Sequence, residues 1–114
     1  MLRGIDHLYA ETRHWEDSVA FWEGLGFSFD ERWGSEGHRA GRLRCNAAVV
    51  VLAEVAKGAP ASNVFFSVDS ADGFKPGPGV EVSTPAEPTH WGTRWLRVRD
   101  PDGRIYALEE SQST

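Results

Sequence analysis

Two alternating runs, residues 94–99 and 105–110, flank Asp100-Pro101-Asp102-Gly103. No other feature limits the fold as much. Pro101 presets φ at the second turn position, and Gly103 suits a closing position where φ must be positive. The runs alternate with period two, so 94–110 is predicted to be a β-hairpin with one face apolar. The residues before it carry further strand patterning.

That earlier sheet is legible. Residues 3–10 alternate, with Ile5, His7 and Tyr9 on one face and Leu8 and Ala10 on the other. Trp15, Val19, Trp22 and Leu25 then follow helical spacing. Thr12 is a candidate N-cap, Glu16 and Asp17 suit a first helical turn, and Gly24 and Gly26 end the helix. Residues 27–32, 38–45 and 47–53 read as strands, with Cys45-Asn46-Ala47 as a tight turn. Lys57-Gly58-Ala59-Pro60-Ala61-Ser62 reads as a linker. It separates an N-terminal module, 1–56, from a C-terminal module, 63–112.

The second module repeats the plan in shortened form. Residues 63–68 form a strand. A helix would then be due, but Lys75-Pro76-Gly77-Pro78-Gly79 follows within a few residues, and two prolines with two glycines cannot form one. A turn, or no helix at all, is expected there. Residues 80–83 read as a short strand and 84–90 as a loop before the hairpin.

At 114 residues the chain is expected to be a single domain with a small core. No apolar run is long enough to cross a membrane, and the first residues lack the apolar centre of a signal peptide. A lone cysteine, Cys45, forms no internal disulfide, so a cytoplasmic protein is expected. Net charge is −5 without a basic tract, which argues against nucleic acid and suits a cationic or neutral partner.

The ordered set Ile5-Asp6-His7-Leu8, Ser18-Val19-Ala20-Phe21-Trp22-Glu23-Gly24-Leu25-Gly26-Phe27, Asn63-Val64-Phe65-Phe66-Ser67-Val68-Asp69 and Asp100-Pro101-Asp102-Gly103 resembles the glyoxalase / bleomycin-resistance / extradiol-dioxygenase (vicinal oxygen chelate) superfamily. The pairing of Ala20-Phe21-Trp22 with Trp91-Gly92 most resembles its bleomycin-resistance binding proteins. The resemblance implies an α+β fold. Two βαβββ modules form a curled mixed sheet around a cleft, the second with a reduced or missing helix, in a chain that pairs as a homodimer.

The resemblance also implies where a metal would sit. The four ligand positions of the metal-binding members fall on His7, Val51, Asn63 and Ala107, the last lying four residues after the turn glycine. Val and Ala offer no donor, and Asn offers only a neutral oxygen, a poor ligand for a transition metal. A slip of one residue would bring in Tyr106 or Leu108, and neither restores the site. No metal and no cofactor are expected. His7 is then read as a hydrogen-bonded histidine on a cavity wall.

Strand parity places Val49, Val51, Phe65, Ile105 and Ala107 on the face of His7, Tyr9 and Asn63. The opposite face, Leu8, Val50, Leu52, Val64, Phe66, Val68, Tyr106 and Leu108, would pack on the helix. The first face is either plain core or a mostly apolar pocket for a planar organic ligand. Trp33 and Trp91 stand near turns and are candidate platforms for such a ligand. The competing readings are a dimer contact for Trp33 and a hairpin cap for Trp91. Trp15 and Trp22 read as core or interface. Arg39, Arg42, Arg44, Arg97 and Arg99 read as a solvated strand face, with anion contact as the lesser possibility. Other catalytic patterns are missing: no phosphate loop, no nucleophile elbow, no zinc helix. The expected function is sequestration of a bulky aromatic natural product or antibiotic. The alternative is a small enzyme with an unrecognised metal site, or a metal-free one using His7 as acid or base.

Overall fold

The computed structural model describes residues 1–99 and 101–111. Among these, the elements run β1 (Leu2–Thr12), α1 (Trp15–Gly24), β2 (Ser28–Trp33), β3 (Ala40–Cys45), β4 (Ala48–Glu54), β5 (Ser62–Val68), β6 (Glu81–Pro88), β7 (Arg94–Arg99) and β8 (Ile105–Glu110). The class is α+β, with one helix and an eight-stranded mixed sheet. The chain forms two compact units, His7–Ser62 and Met1–Asp6 with the chain from Asn63 onward. The boundary falls inside β1.

In the His7–Ser62 unit the strand order is β2-β3-β4-β1. β1 and β4 are parallel, with Leu8 opposite Val50 and Tyr9 opposite Val51. β4 pairs antiparallel with β3, and β3 with β2. A parallel pair needs a crossover, and α1 supplies it. Its N-cap is His14, which makes no side-chain cap. The expected cap, Thr12, acts from two residues earlier. Its hydroxyl accepts the His14 N–H at 2.9 Å and shares a 2.6 Å hydrogen bond with Ser18. At the other end the Gly26 N–H donates to the Glu23 carbonyl and the Phe27 N–H to the Trp22 carbonyl. This is the Schellman closure, and it requires the positive φ of +107° that Gly26 adopts.

The face of α1 that follows the helical spacing packs on the sheet. Trp15, Leu43, Val50 and Leu52 form a buried cluster, with Leu8, Ala10, Val19, Trp22, Phe27 and Phe29 packed against it. Leu43 and Leu52 are almost wholly excluded from solvent. Each contributes about 1.5–3 kcal/mol by leaving water.

The other unit has the order β1-β5-β8-β7-β6, entered through the first residues of β1. β5 and β8 are parallel, and β6, β7 and β8 are successively antiparallel. The β-strand plan of the first unit is therefore repeated without its helix, as the Pro/Gly segment dictates. Residues 69–79 are turns and bends. From this segment Ala71 and Phe74 pack on Val68, Leu96 and Leu108, where a helix would otherwise lie. The expectation that this whole apolar face packs on α1 is corrected here: this unit closes its core with its own short segment.

One further expectation changes. The stretch 84–90, read as a loop, is strand as far as Pro88. β6 ends its ladder and bonds on one side only, so Pro85 and Pro88 are tolerated there. Its register slips between Val82 and Thr84 and again between Thr84 and Glu87. In the β7–β8 turn, Gly103 takes the expected positive φ of +88°. Asp100 lies outside the described residues, as does residue 112, the expected end of the second module.

Candidate functional site

Strand parity divides the second unit's sheet into two chemically different faces. Leu96, Val98, Tyr106, Leu108 and Phe66 point into the core cluster. The alternate residues point the other way. Phe65 is opposite Ala107, Ala107 is opposite Arg97, and Trp95 is opposite Glu109. Tyr106 and Leu108 are thus turned away from this face, and only Ala107 occupies the position expected of it.

The face is aromatic. The Phe65 and Trp95 rings lie 5.9 Å apart at 34°. Trp91 meets Trp95 edge-on at 5.2 Å and 83°, and His90 meets Trp91 in the same way at 4.7 Å. Polar groups fix the indoles. Trp91 Nε1–H donates to Glu109 Oε2 at 2.6 Å, and the Thr93 hydroxyl donates to the same oxygen at 2.6 Å. Trp95 Nε1–H donates to Glu87 at 3.1 Å. The Arg97 guanidinium lies over the Trp95 ring, 5.2 Å from its centroid. Trp91 keeps 46% of its surface exposed despite these contacts, so its ring is held in place yet open. Asn63 lies two residues before Phe65 on β5 and is half-buried.

In the His7–Ser62 unit, His7, Tyr9, Val49 and Val51 share one face by parity. Leu8, Val50 and Leu43 occupy the other. Arg42 stands opposite Val51 and Arg44 opposite Val49. The Tyr9 phenol donates to Glu11 at 3.1 Å. Burial, together with the Glu11 carboxylate, pushes its pKa up to about 12, so it remains a protonated donor at neutral pH.

Trp33 sits elsewhere in this unit. It lines a shallow groove of about 190 Å³ with Trp15, Arg32, Gly34, Arg39 and Ala40, and none of His7, Tyr9, Val49 and Val51 lines it. Arg39 stands over Trp15 at 5.6 Å. Glu54 clamps it with two side-chain hydrogen bonds, at 2.9 and 2.8 Å, and accepts its backbone N–H at 3.1 Å. These bonds draw the Glu54 carboxyl down to about 2. Trp15 is both core and groove wall, a dual role its helical spacing did not disclose.

The fold raises the question of a metal, and the residues do not fit one. Val51 and Ala107 have no donor atom, and no three His, Cys, Asp or Glu side chains among the described residues come together around a common point. Glu109, two residues beyond Ala107 on the same face, has its carboxylate engaged by Trp91 and Thr93.

Three residues of the aromatic face were not singled out from sequence as its parts: Trp95, Arg97 and Glu109. The signal existed. Period-two alternation places 95 and 97 on β7, and 109 on β8, on the side of Ala107. Of the arginines read as a solvated face, Arg42 and Arg44 pair with Asp30, Arg99 with Glu81 and Arg39 with Glu54. Arg97 departs from that reading. It is half-buried, with its Nε inaccessible to solvent.

Neither a protein-family model nor a curated protein sequence matches this chain. Solved structures do. A hypothetical protein from Bacillus halodurans C-125 superposes with a TM-score of 0.70 at 14% identity, over 96% of this chain and 95% of that one. Methylmalonyl-CoA epimerase from Mycobacterium tuberculosis gives 0.68 at 16%, over 98% and 90%. A glyoxalase/bleomycin resistance protein/dioxygenase superfamily member from Vibrio splendidus 12B01 gives 0.66 at 16%, over 97% and 100%. Likeness at this identity is likeness of fold. The protein has the vicinal-oxygen-chelate fold of the glyoxalase / bleomycin-resistance / dioxygenase superfamily. No helix among the described residues is long and apolar enough to cross a membrane.

Proposed function

We propose that the protein is a metal-free binding protein that holds a planar aromatic small molecule against the face built by Phe65, Trp91 and Trp95, with Ala107 on the same face but itself buried. The supporting observation is the Phe65–Trp95–Trp91 wall itself, with its indoles tied by Glu109 and Glu87 beside a methyl group. Fixed aromatic rings offer contact area at little entropic cost, because their side chains are ordered before binding. Asn63, on the same strand as Phe65, belongs to the proposal; His7, Tyr9, Val49 and Val51 share a face of the His7–Ser62 unit, which is described by itself. Sequestration of an aromatic natural product or antibiotic is the role this chemistry suits.

A homodimer belongs to the proposal. Leu2, Ile5, Phe21, Leu25, Val80 and Val82 are exposed apolar side chains, the kind of surface that pairing with a second copy covers. Sedimentation at micromolar concentration should give twice the chain mass, and a monomer would contradict it.

Calorimetric titration with a panel of planar aromatics tests the binding role, followed by recovery of the ligand. Saturable binding with the ligand recovered unchanged is expected. Turnover that disappears in His7→Ala would replace this reading with the catalytic one.

A further inference from the structure

Net charge alone suits a cationic ligand, but the charged group on the aromatic wall is a guanidinium. Arg39, Arg42, Arg44, Arg94 and Arg99 each pair with a carboxylate within 3 Å. Arg97 makes no hydrogen bond or ion pair among the described residues, and its Nε is buried without an acceptor. Buried donors in folded proteins are nearly always satisfied, and a buried charge without a counter-charge is costly. Arg32 also lacks a carboxylate, but it is exposed over Phe29, where water serves it.

The surroundings of Arg97 explain what is left open. The carboxylates on this face are already engaged by neutral donors: Glu109 by Trp91 and Thr93, Glu87 by Trp95. Directly across the ladder from Arg97 stands Ala107, whose methyl carries no charge to pair with the guanidinium. The Trp95 ring lies beside it, with its centroid 5.2 Å from the guanidinium carbon. A fork of N–H donors beside an aromatic wall matches a carboxylate attached to an aromatic ring.

We propose that Arg97 is the anchor for an acidic group on the ligand, so that the face takes a planar aromatic carboxylate, the ring against Trp95 and Phe65 and the carboxylate on the guanidinium. This rests on the aromatic-binding role proposed above and adds the ligand's charge. The carboxylate then supplies the counter-charge that the guanidinium lacks among the described residues.

Three probes with one ring system test it: 2-naphthoate, 2-naphthamide and 2-(aminomethyl)naphthalene, titrated by calorimetry into the full chain. The naphthoate should bind about tenfold or more tightly than the amide, the range a charge-assisted pair supplies, with the amine weakest. In Arg97→Gln the acid-to-amide ratio should fall to about one, and Arg97→Lys should keep part of it, since it retains charge but not the fork. Circular dichroism checks that both variants fold. Equal affinities of acid and amide for the parent would overturn the anchor and leave the aromatic-binding role standing. A ratio that persists in Arg97→Gln would do the same. Failure of all three probes to bind the parent would overturn both.

Discussion

The indole N–H of Trp91 donates to Oε2 of Glu109 across 2.6 Å, and that oxygen also takes the Thr93 hydroxyl at the same distance. Glu109 lies two residues beyond Ala107 on β8 and therefore shares its face. The carboxylate serves as the fixture that holds an exposed indole in place. An aromatic platform is ready only if its ring is immobilised before the ligand arrives.

Replacing Glu109 with Ala should leave both donors without their acceptor. The expected cost is about 1–3 kcal/mol of stability, read by urea unfolding. Trp91→Ala should weaken binding of a planar ligand by about 1–3 kcal/mol while leaving the unfolding midpoint almost unchanged. Equal losses of stability in the two variants would show that Trp91 packs rather than presents a surface.

Much of this architecture was legible in the chain because alternation and helical spacing act locally. The run Trp15-Val19-Trp22 gave α1, and Lys75-Pro76-Gly77-Pro78-Gly79 removed its counterpart in the second unit. β6 was missed beyond residue 83 because Pro85 and Pro88 read as breakers, and nothing local says that a strand will lie at an edge. Thr12 was recognised as a helix-start residue but placed at the cap itself, whereas it binds His14 and Ser18 from outside. Arg97 was grouped with its neighbours in sequence because pairing partners come from other strands: Asp30, Glu54 and Glu81 reach the other arginines, and none reaches it. Trp95 lies inside a strand, away from the turns that single out Trp91, and only the assignment of faces places it beside Phe65.

Gly41 on β3 lies under β2, where a Cβ would fall 2.6 Å from the Phe29 ring and 2.7 Å from the Glu31 carbonyl. The backbone oxygen cannot rotate aside, and this is where the β2–β3 register shifts. Gly41→Ala should destabilise the protein by about 1–3 kcal/mol in thermal or urea unfolding, because β2 must move to admit the methyl. Unchanged stability would mean that the register shift is soft.

Acid should expose the Arg39–Glu54 clamp. The hydrogen bonds from Arg39 lower the Glu54 carboxyl from its ordinary 4.5 to about 2. A depressed carboxyl contributes stability that is present above pH 4.5 and is lost as the pH falls toward 2. Asp30, lowered by Arg44 and Arg42, acts in the same direction. The unfolding midpoint should therefore drop over that window, and Arg39→Met should flatten the drop. A parent and an Arg39→Met variant with parallel pH profiles would contradict this.

Purified protein should carry no stoichiometric divalent metal, because Val51 and Ala107 supply no ligand atom. Elemental analysis checks this directly. One ion per chain, lost in His7→Ala, would contradict the metal-free account.

The central claim is that the Trp91–Trp95–Phe65 face receives the ligand, and the five tryptophan indole N–H resonances report on it one by one. In a ¹⁵N-labelled sample titrated with 2-naphthoate, the Trp91 and Trp95 indole signals should shift together and saturate, while the core residue Trp22 stays in place. Trp91→Phe and Trp95→Phe assign the two signals. Shifts confined to Trp15 and Trp33 would move the site to the groove those residues line, and the account given for Phe65, Trp95 and Ala107 would be wrong.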